Sequence, residues 1–319
     1  MKKLLNFDVI KNSKPILLIS AALVLIGICS MLLIGFNIDI DFSGGTEIQL
    51  DIGREITAQD CGDINGIIEE LFGKQYVSST TKDLNITSLA IIRTGTAELT
   101  SEQQDKLLKA LDEFFGINHT ESTNFQINYI SAIIGDQLKR TAIKAVLIAI
   151  VGMLLYIAIR FKSIESALAA IVCLAFNSFI MLAVYSVFQI PVDSNIIAAL
   201  LTILGYSINA TIVIFDRIRE NRQREGGEKP FAVIVADGTK QTMGRSLNTT
   251  LTTLFTITMV FIFGVQSIRN FAFPLIIGIV AGLFSSGCLS GYLWLKISEV
   301  FEPIREKRLQ NKKKKKQRA

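Results

Sequence analysis

Apolar and polar positions divide the chain into long uncharged runs and one mixed segment. Pro15 to Ile38 carries no charged side chain, and neither do Ser166 to Val192, Ser194 to Phe215, Ser246 to Ile268 or Asn270 to Leu295. Each exceeds the roughly 20 residues a helix needs to cross a hydrocarbon layer of about 30 Å. A sixth run, Ala145 to Ile159, is shorter. It becomes a full span when Lys144 and Arg140 extend their charged ends toward the interface. The pattern predicts six transmembrane helices, at 15–38, 140–160, 165–190, 193–215, 245–266 and 270–296. The first has too long an apolar core, and lacks the small-x-small site, expected of a cleaved signal peptide, so a retained helix is predicted.

Residues 39–137 show shorter periods. Thr46 to Ile52 alternates as a strand does. Thr57 is placed to cap a helix, with Asp60 three positions on, and Ile64, Ile67, Ile68 and Leu71 recur on one face. Gln75 to Thr81 and Ile86 to Thr94 read as two strands. Thr100 with Gln103 repeats the capping signal before Leu107, Leu108, Leu111, Phe114 and Phe115, and Phe125 to Ser131 reads as a last strand. The order βαββαβ predicts a small α+β domain of ferredoxin-like type, with a less regular α+β layer as the alternative. The fold class expected is an α-helical integral membrane protein with six spans and this one extracytoplasmic domain.

Charge gives the orientation. The 319 residues carry a formal net charge of +5, with half of them apolar and 19% charged. Mean hydropathy is +0.44. Segment 39–137 holds 17 acidic residues against six basic ones. Most of the 33 Lys and Arg residues fall before the first span, after the second and fourth, and after the sixth, ending in the block Lys312 to Lys316. Basic segments lie inside, so both termini (1–14 and 299–319) are expected in the cytoplasm and 39–137 outside. The basic surplus therefore reads as membrane topology, and no nucleic-acid partner is implied. A terminal lysine block suits anionic lipid headgroups, or ribosomal and channel partners.

Catalytic chemistry is not indicated. Cys29, Cys173 and Cys288 fall within spans, and Cys61 stands alone outside them, so no disulfide framework or metal site is expected. The single histidine, His119, sits among polar loop residues. No nucleophile elbow, phosphate loop or cofactor motif occurs. The expectation is a non-enzymatic membrane protein without a cofactor, and any work it does must draw on a gradient or a partner.

Three polar features interrupt the apolar pattern. Gly44 and Gly45 follow the first span and suit a tight turn or a flexible junction, read here as a hinge. Asp216, Arg217, Arg219, Glu220 and Arg222 close the fourth span, where basic groups suit the helix C-terminus. They read as an interfacial anchor or as a cytoplasmic docking surface. The mainly apolar part of the fifth span, Leu251 to Val265, has 15 residues, so the span must recruit the polar stretch before it. That brings Arg245 to the inner membrane edge, with Thr249, Thr252 and Thr256 on its face and Asn248 beside it. Such a stripe faces protein or a water cavity, or serves as hydrogen-bonding glue between helices. Asp193 is the acid closest to the spans and suits an N-cap for the fourth helix.

Three stretches together, DFSGGT (Asp41 to Thr46), LTILGYSINATIVIFDRIREN (Leu201 to Asn221) and QTMGRSLNTTLTTL (Gln241 to Leu254), resemble the SecF family of bacterial protein-export subunits. The resemblance covers the chain apart from its lysine tail. It implies an RND-like half-transporter that forms a pseudo-symmetric heterodimer with SecD. It further implies association with SecYEG, with YajC and a YidC-type insertase as further candidates. The implied activity is to aid translocation and release of unfolded secretory proteins, drawing on the proton gradient across the inner membrane. Arg245 matches the family's proton-pathway arginine. The family's fourth span carries Asn-Asp-Thr, whereas here the residues are Asn209, Ala210 and Thr211. The family's His-Asp pair in the third span is replaced by Phe176 and Asn177. Ala and Asn exchange no protons, so the relay role is not carried onto them. Either SecD supplies the acid, facing Arg245, or coupling is lost or altered, with neutral oxygens of Asn177, Asn209, Thr211 and the Thr stripe lining a sodium path. A half-size exporter of lipids or small hydrophobic molecules, and a scaffold subunit without a transport cycle, remain the competing readings.

Overall fold

The structure is a computed structural model and describes residues 10–73, 79–82, 88–94, 99–116, 125–161, 163–225 and 228–301. His119, the first nine residues and the lysine tail lie outside the described residues. Two compact units are distinct: residues 38–145 with 191–194, and the remaining, mainly helical chain.

Six helices are long and apolar enough to cross a membrane. They are α1 (Ser13–Leu33), α5 (Ala132–Arg160), α6 (Ile164–Val187), α7 (Asn195–Arg224), α8 (Phe231–Phe263) and α9 (Gln266–Phe284), the last continuing through a π-helical turn at Ser285–Ser290 to Phe301. Most run beyond the uncharged stretches that predict them, because charged side chains extend a helix into water. α7 continues nine residues past Phe215 to Arg224, and α8 begins 14 residues before Arg245. α1 is shorter than expected and stops at Leu33, before Gly35 takes a positive φ of 78°. The fourth span begins at Asn195, two residues after Asp193.

The helical unit packs by close approach. Ile157, Phe161, Ala169, Ala170, Phe215, Ile218, Ile234, Val235 and Trp294 form its largest buried cluster, with Phe161 edge-on to Phe215 and Phe231 edge-on to Trp294. Small residues set the helix spacing. A methyl group on Gly238 would lie 2.7 Å from the Ile218 side chain, and one on Gly27 would lie 2.7 Å from Phe179. Ser30 and Ser186 share a hydroxyl hydrogen bond of 2.8 Å that ties α1 to α6.

The second unit contains a short connector helix α2 (Ile40–Ser43), β1 (Gly45–Asp51), α3 (Ala58–Phe72), β2 (Ser79–Lys82), β3 (Leu89–Thr94), α4 (Ser101–Phe115) and β4 (Phe125–Ile130). The four strands form one sheet in the order β2-β3-β1-β4, with every neighbouring pair antiparallel. Ile48, Leu50, Ala90 and Ile92 pack with Ile64 and Ile68 of α3 and Leu107 and Leu111 of α4. Both helices carry the capping boxes read from sequence, Thr57 with Asp60 and Thr100 with Gln103. Arg54 grips both Asp60 carboxylate oxygens, at 2.6 and 2.9 Å. This guanidinium, with the hydrogen bonds from Thr57, holds the Asp60 carboxyl well below the usual carboxylate range.

Gly44 has φ 70°, and its backbone lies against the start of α5. A Cβ there would be 2.8 Å from the Ala132 Cα, and one on Gly135 would be 3.0 Å from the Gly44 nitrogen. The junction is thus a packed turn in which backbone meets backbone. Gly44→Ala is expected to lower stability by about 1–3 kcal/mol through strain and overlap. Gly53→Ala has a similar φ of 69° but nothing within 4 Å, and it should cost less. Thermal unfolding of the two variants in detergent checks the difference.

Candidate functional site

The polar residues of the spans sort into two groups by helix geometry. At 100° per residue, Ser207 and Asn209 point about 200° apart on α7. Ser207 is buried and Asn209 is exposed. Asn177, wholly buried on α6, donates its amide N–H to the Ser207 hydroxyl. Its Oδ1 has no hydrogen-bond partner among the described residues. Gly282 of α9 closes on the same place: a Cβ there would be 3.9 Å from Ser207 Cβ and 4.0 Å from Asn177 Nδ2. Thr211, also fully buried, donates to the Ser207 carbonyl at 3.0 Å. Asn177 therefore belongs to a neutral, internal hydrogen-bonded locus where three helices meet.

The second group faces away from the chain. Thr202, Gly205 and Asn209 share the exposed side of α7, while Ala210 is half-buried. Arg245, Asn248, Thr249, Thr252 and Thr256 share the exposed side of α8. The threonine hydroxyls are occupied by their own helix. Thr249 donates to the Arg245 carbonyl at 3.0 Å, Thr252 to Thr249 at 2.9 Å, and Thr256 to Thr252 at 3.1 Å. Along this stretch α7 and α8 are tied by Tyr206 and Thr250, whose hydroxyls are 2.9 Å apart. Arg245 has no ion pair or side-chain hydrogen bond among the described residues. A guanidinium left so within a membrane-spanning helix is costly unless another molecule supplies an anion or water.

The sequence candidates are thus divided. Arg245, Asn209, Thr249 and Thr252 lie on outward faces of adjacent helices, Asn177 lies inside the bundle, and Asp193 lies in the other unit. Sequence reading passed over Ser207, Tyr206 with Thr250, Gly282 and the π-helical turn. Ser207 was within reach, since it stands two residues from Asn209 and must take the opposite face. The π turn has no comparable signal, though its Ser285, Ser286 and Ser290 are all buried.

The charged end of α7 is mostly engaged within the chain. Asp216 is bridged by Arg160 of α5 and by Arg219. Arg217 donates to Gln241 of α8 at 2.6 Å and to Glu220 at 2.8 Å, and Asn221 donates to the same Gln241 at 3.0 Å. Arg222 lies over the Phe231 ring at 4.7 Å. These contacts hold α7 to α5 and α8, and Glu220 keeps the most exposed side chain of the ion-paired set.

Residues 110–300 match the family described as "Protein export membrane protein SecD/SecF, C-terminal". The chain belongs to this SecD/SecF family of protein-export membrane proteins. It is 35% identical over 300 residues to the protein translocase subunit SecF of Alicyclobacillus acidocaldarius, covering 91% of this chain and 92% of that one. The SecF of Acidaminococcus fermentans is 34% identical, with 92% and 97% covered. The SecDF of Bacillus subtilis is 32% identical over 91% of this chain, which spans 38% of that protein. Among solved structures, SecDF from Thermus thermophilus, a translocon-associated membrane protein, superimposes with a TM-score of 0.78 at 28% identity. The match takes 92% of this chain and 39% of SecDF. The chain is a multi-pass bacterial membrane protein of the Sec protein-transport system.

Asp216 carries two of the ion pairs around the end of α7, and each is partly exposed. Asp216→Asn is expected to destabilise the helical unit by up to about 2 kcal/mol. Glu220→Gln should stay within about 0.5 kcal/mol. Denaturation of the purified variants in detergent measures both.

Proposed function

We propose that this chain is the auxiliary Sec translocase subunit that acts with SecD on SecYEG to promote translocation and release of secreted proteins, and that it draws on the proton gradient. The observation that carries the reading is Arg245 together with its polar stripe. A guanidinium with no ion pair or side-chain hydrogen bond among the described residues lies on an outward helix face with an amide and three threonines, and Gly205 and Asn209 lie on the outward side of α7. The face fits a partner membrane helix that brings a carboxylate, and small residues let its backbone come close. In Bacillus and Thermus SecDF, the segment like this chain occupies about two-fifths of a longer polypeptide. The remainder of such a polypeptide supplies a natural candidate for that partner.

Proton coupling then rests on the partner's acid, because position 210 is alanine and position 177 is asparagine. A fixed guanidinium lowers the pKa of a facing carboxylate and makes its occupancy sensitive to hydration. The α+β unit is assigned to the outer side, with both termini in the cytoplasm. Its βαββαβ order and the strand order β2-β3-β1-β4 support the ferredoxin-like reading. A place beside the emerging polypeptide follows from that topology.

Inner-membrane vesicles carrying this chain with its SecD test the reading. Arg245→Ala should bring export stimulation down to the level seen without the pair, while the variant still folds and co-purifies with SecD. A cysteine at Thr252 should cross-link to SecD and not to a second copy. Unchanged stimulation in Arg245→Ala would favour a scaffold. Stimulation that survives collapse of the proton gradient at constant sodium would overturn the proton-driven part.

A further inference from the structure

The α+β unit holds a buried group of charges that the proposed function leaves unused. Glu47 of β1 and Arg93 of β3 are directly paired across the sheet. They point away from Ile48 and Ile92, hence away from the two helices. On that side Asp39, at the start of the connector, reaches Arg93, and both Glu47 and Arg93 stay below a tenth exposed. Arg93 Nε lies 3.0 Å from Glu47 Oε2 and 3.4 Å from Asp39 Oδ1. Asp39 caps the connector helix α2 and accepts the Ile40 N–H at 2.6 Å. Gln49 donates to the other Glu47 oxygen at 2.9 Å. Asp41, also on α2, adds its charge nearby and accepts the Ser194 N–H at 2.8 Å.

The charges do not balance. Two mostly buried carboxylates meet one guanidinium, with a third carboxylate close by. One arginine neutralises one acid, and a second anion removed from water is costly unless it takes a proton. Glu47 has the better claim on Arg93, by the shorter contact and by support from Gln49. Asp39 is left as the acid in excess. Its turn survives neutralisation, because a carboxyl oxygen still accepts the Ile40 N–H.

We propose that Asp39, Glu47 and Arg93 form a proton-binding site in the α+β unit, in which Asp39 holds an exchangeable proton. The proton comes from water and returns to it, converting the Asp39 carboxylate to a carboxylic acid with no other bond changed. Burial, and after it the charge of Glu47, pushes the Asp39 carboxyl up from 3.8 to about 6, against the pull of Arg93. The folded chain then binds more protons than the unfolded chain between those values. The stability this group contributes is full below 3.8 and is lost as pH rises through about 6. The site does not depend on SecD or on Arg245.

Infrared difference spectra of the full chain in lipid nanodiscs, titrated with acid, read the proton directly. A carboxylic-acid C=O band should grow in around the Asp39 titration and vanish in Asp39→Asn. Glu47→Gln removes the like charge and should move the band to lower pH, toward the ordinary carboxylate range. Asp41→Asn should shift it the same way by less. Thermal unfolding followed across the same pH range should lose part of its slope in Asp39→Asn. A band that is absent, or that persists in Asp39→Asn, overturns the proposal. Should Asp39→Asn fail to fold, Glu47→Gln decides alone, and an unmoved titration in that variant overturns it.

Discussion

In hydrocarbon a polar side chain finds nothing to bond, so each one in a membrane span must turn to its own helix, to a neighbouring helix or to another protein. All three outcomes occur here. Thr202, Thr249, Thr252 and Thr256 bond the carbonyls of their own helices. Asn177 turns inward to Ser207. Arg245 does neither among the described residues, and under the proposed function it turns to another protein.

The same constraint shapes the packing. Lipid tails are as apolar as leucine, so helices gain little from burying leucine against leucine and gain instead from close contact and shared hydrogen bonds. Gly238 against Ile218, Gly27 against Phe179 and Ser30 against Ser186 are such contacts. The aromatic cluster of Phe161, Phe215, Phe231 and Trp294 lies near the charged end of α7, where the arginines and Asp216 provide polar ties in a wetter setting. Bundle geometry thus draws on contacts inside the unit, and the stripe on α8 lies on its exposed side.

Much of this was legible in the sequence. Uncharged runs located the six spans, because water-free helices tolerate few charges, and the two capping boxes located α3 and α4 almost to the residue. Span ends were less legible. Charged residues end a hydropathic run without ending a helix, so α7 and α8 extend well beyond it. The internal locus was missed for a different reason: Asn177, Ser207 and Gly282 come from three helices, and nothing local announces that they converge. The burial of Glu47 was not legible either: alternation puts it on the face opposite Ile48, yet it is buried there beside Arg93, which also lies near Asp39.

If the chain acts as proposed, these placements divide the work between it and its partner. Within the spans this chain offers a fixed positive charge and neutral oxygens, none of which exchanges protons near neutral pH. The carboxylate pushed furthest toward neutrality, Asp39, lies in the α+β unit. If the gradient does work at the level of the spans, the exchanging acid must face Arg245 from the partner. Its protonation would then switch the Arg245 pairing on and off. A subunit built this way acts as the electrostatic counterpart of a relay. With alanine at 210 and asparagine at 177, neither position offers an anion that would compete for Arg245.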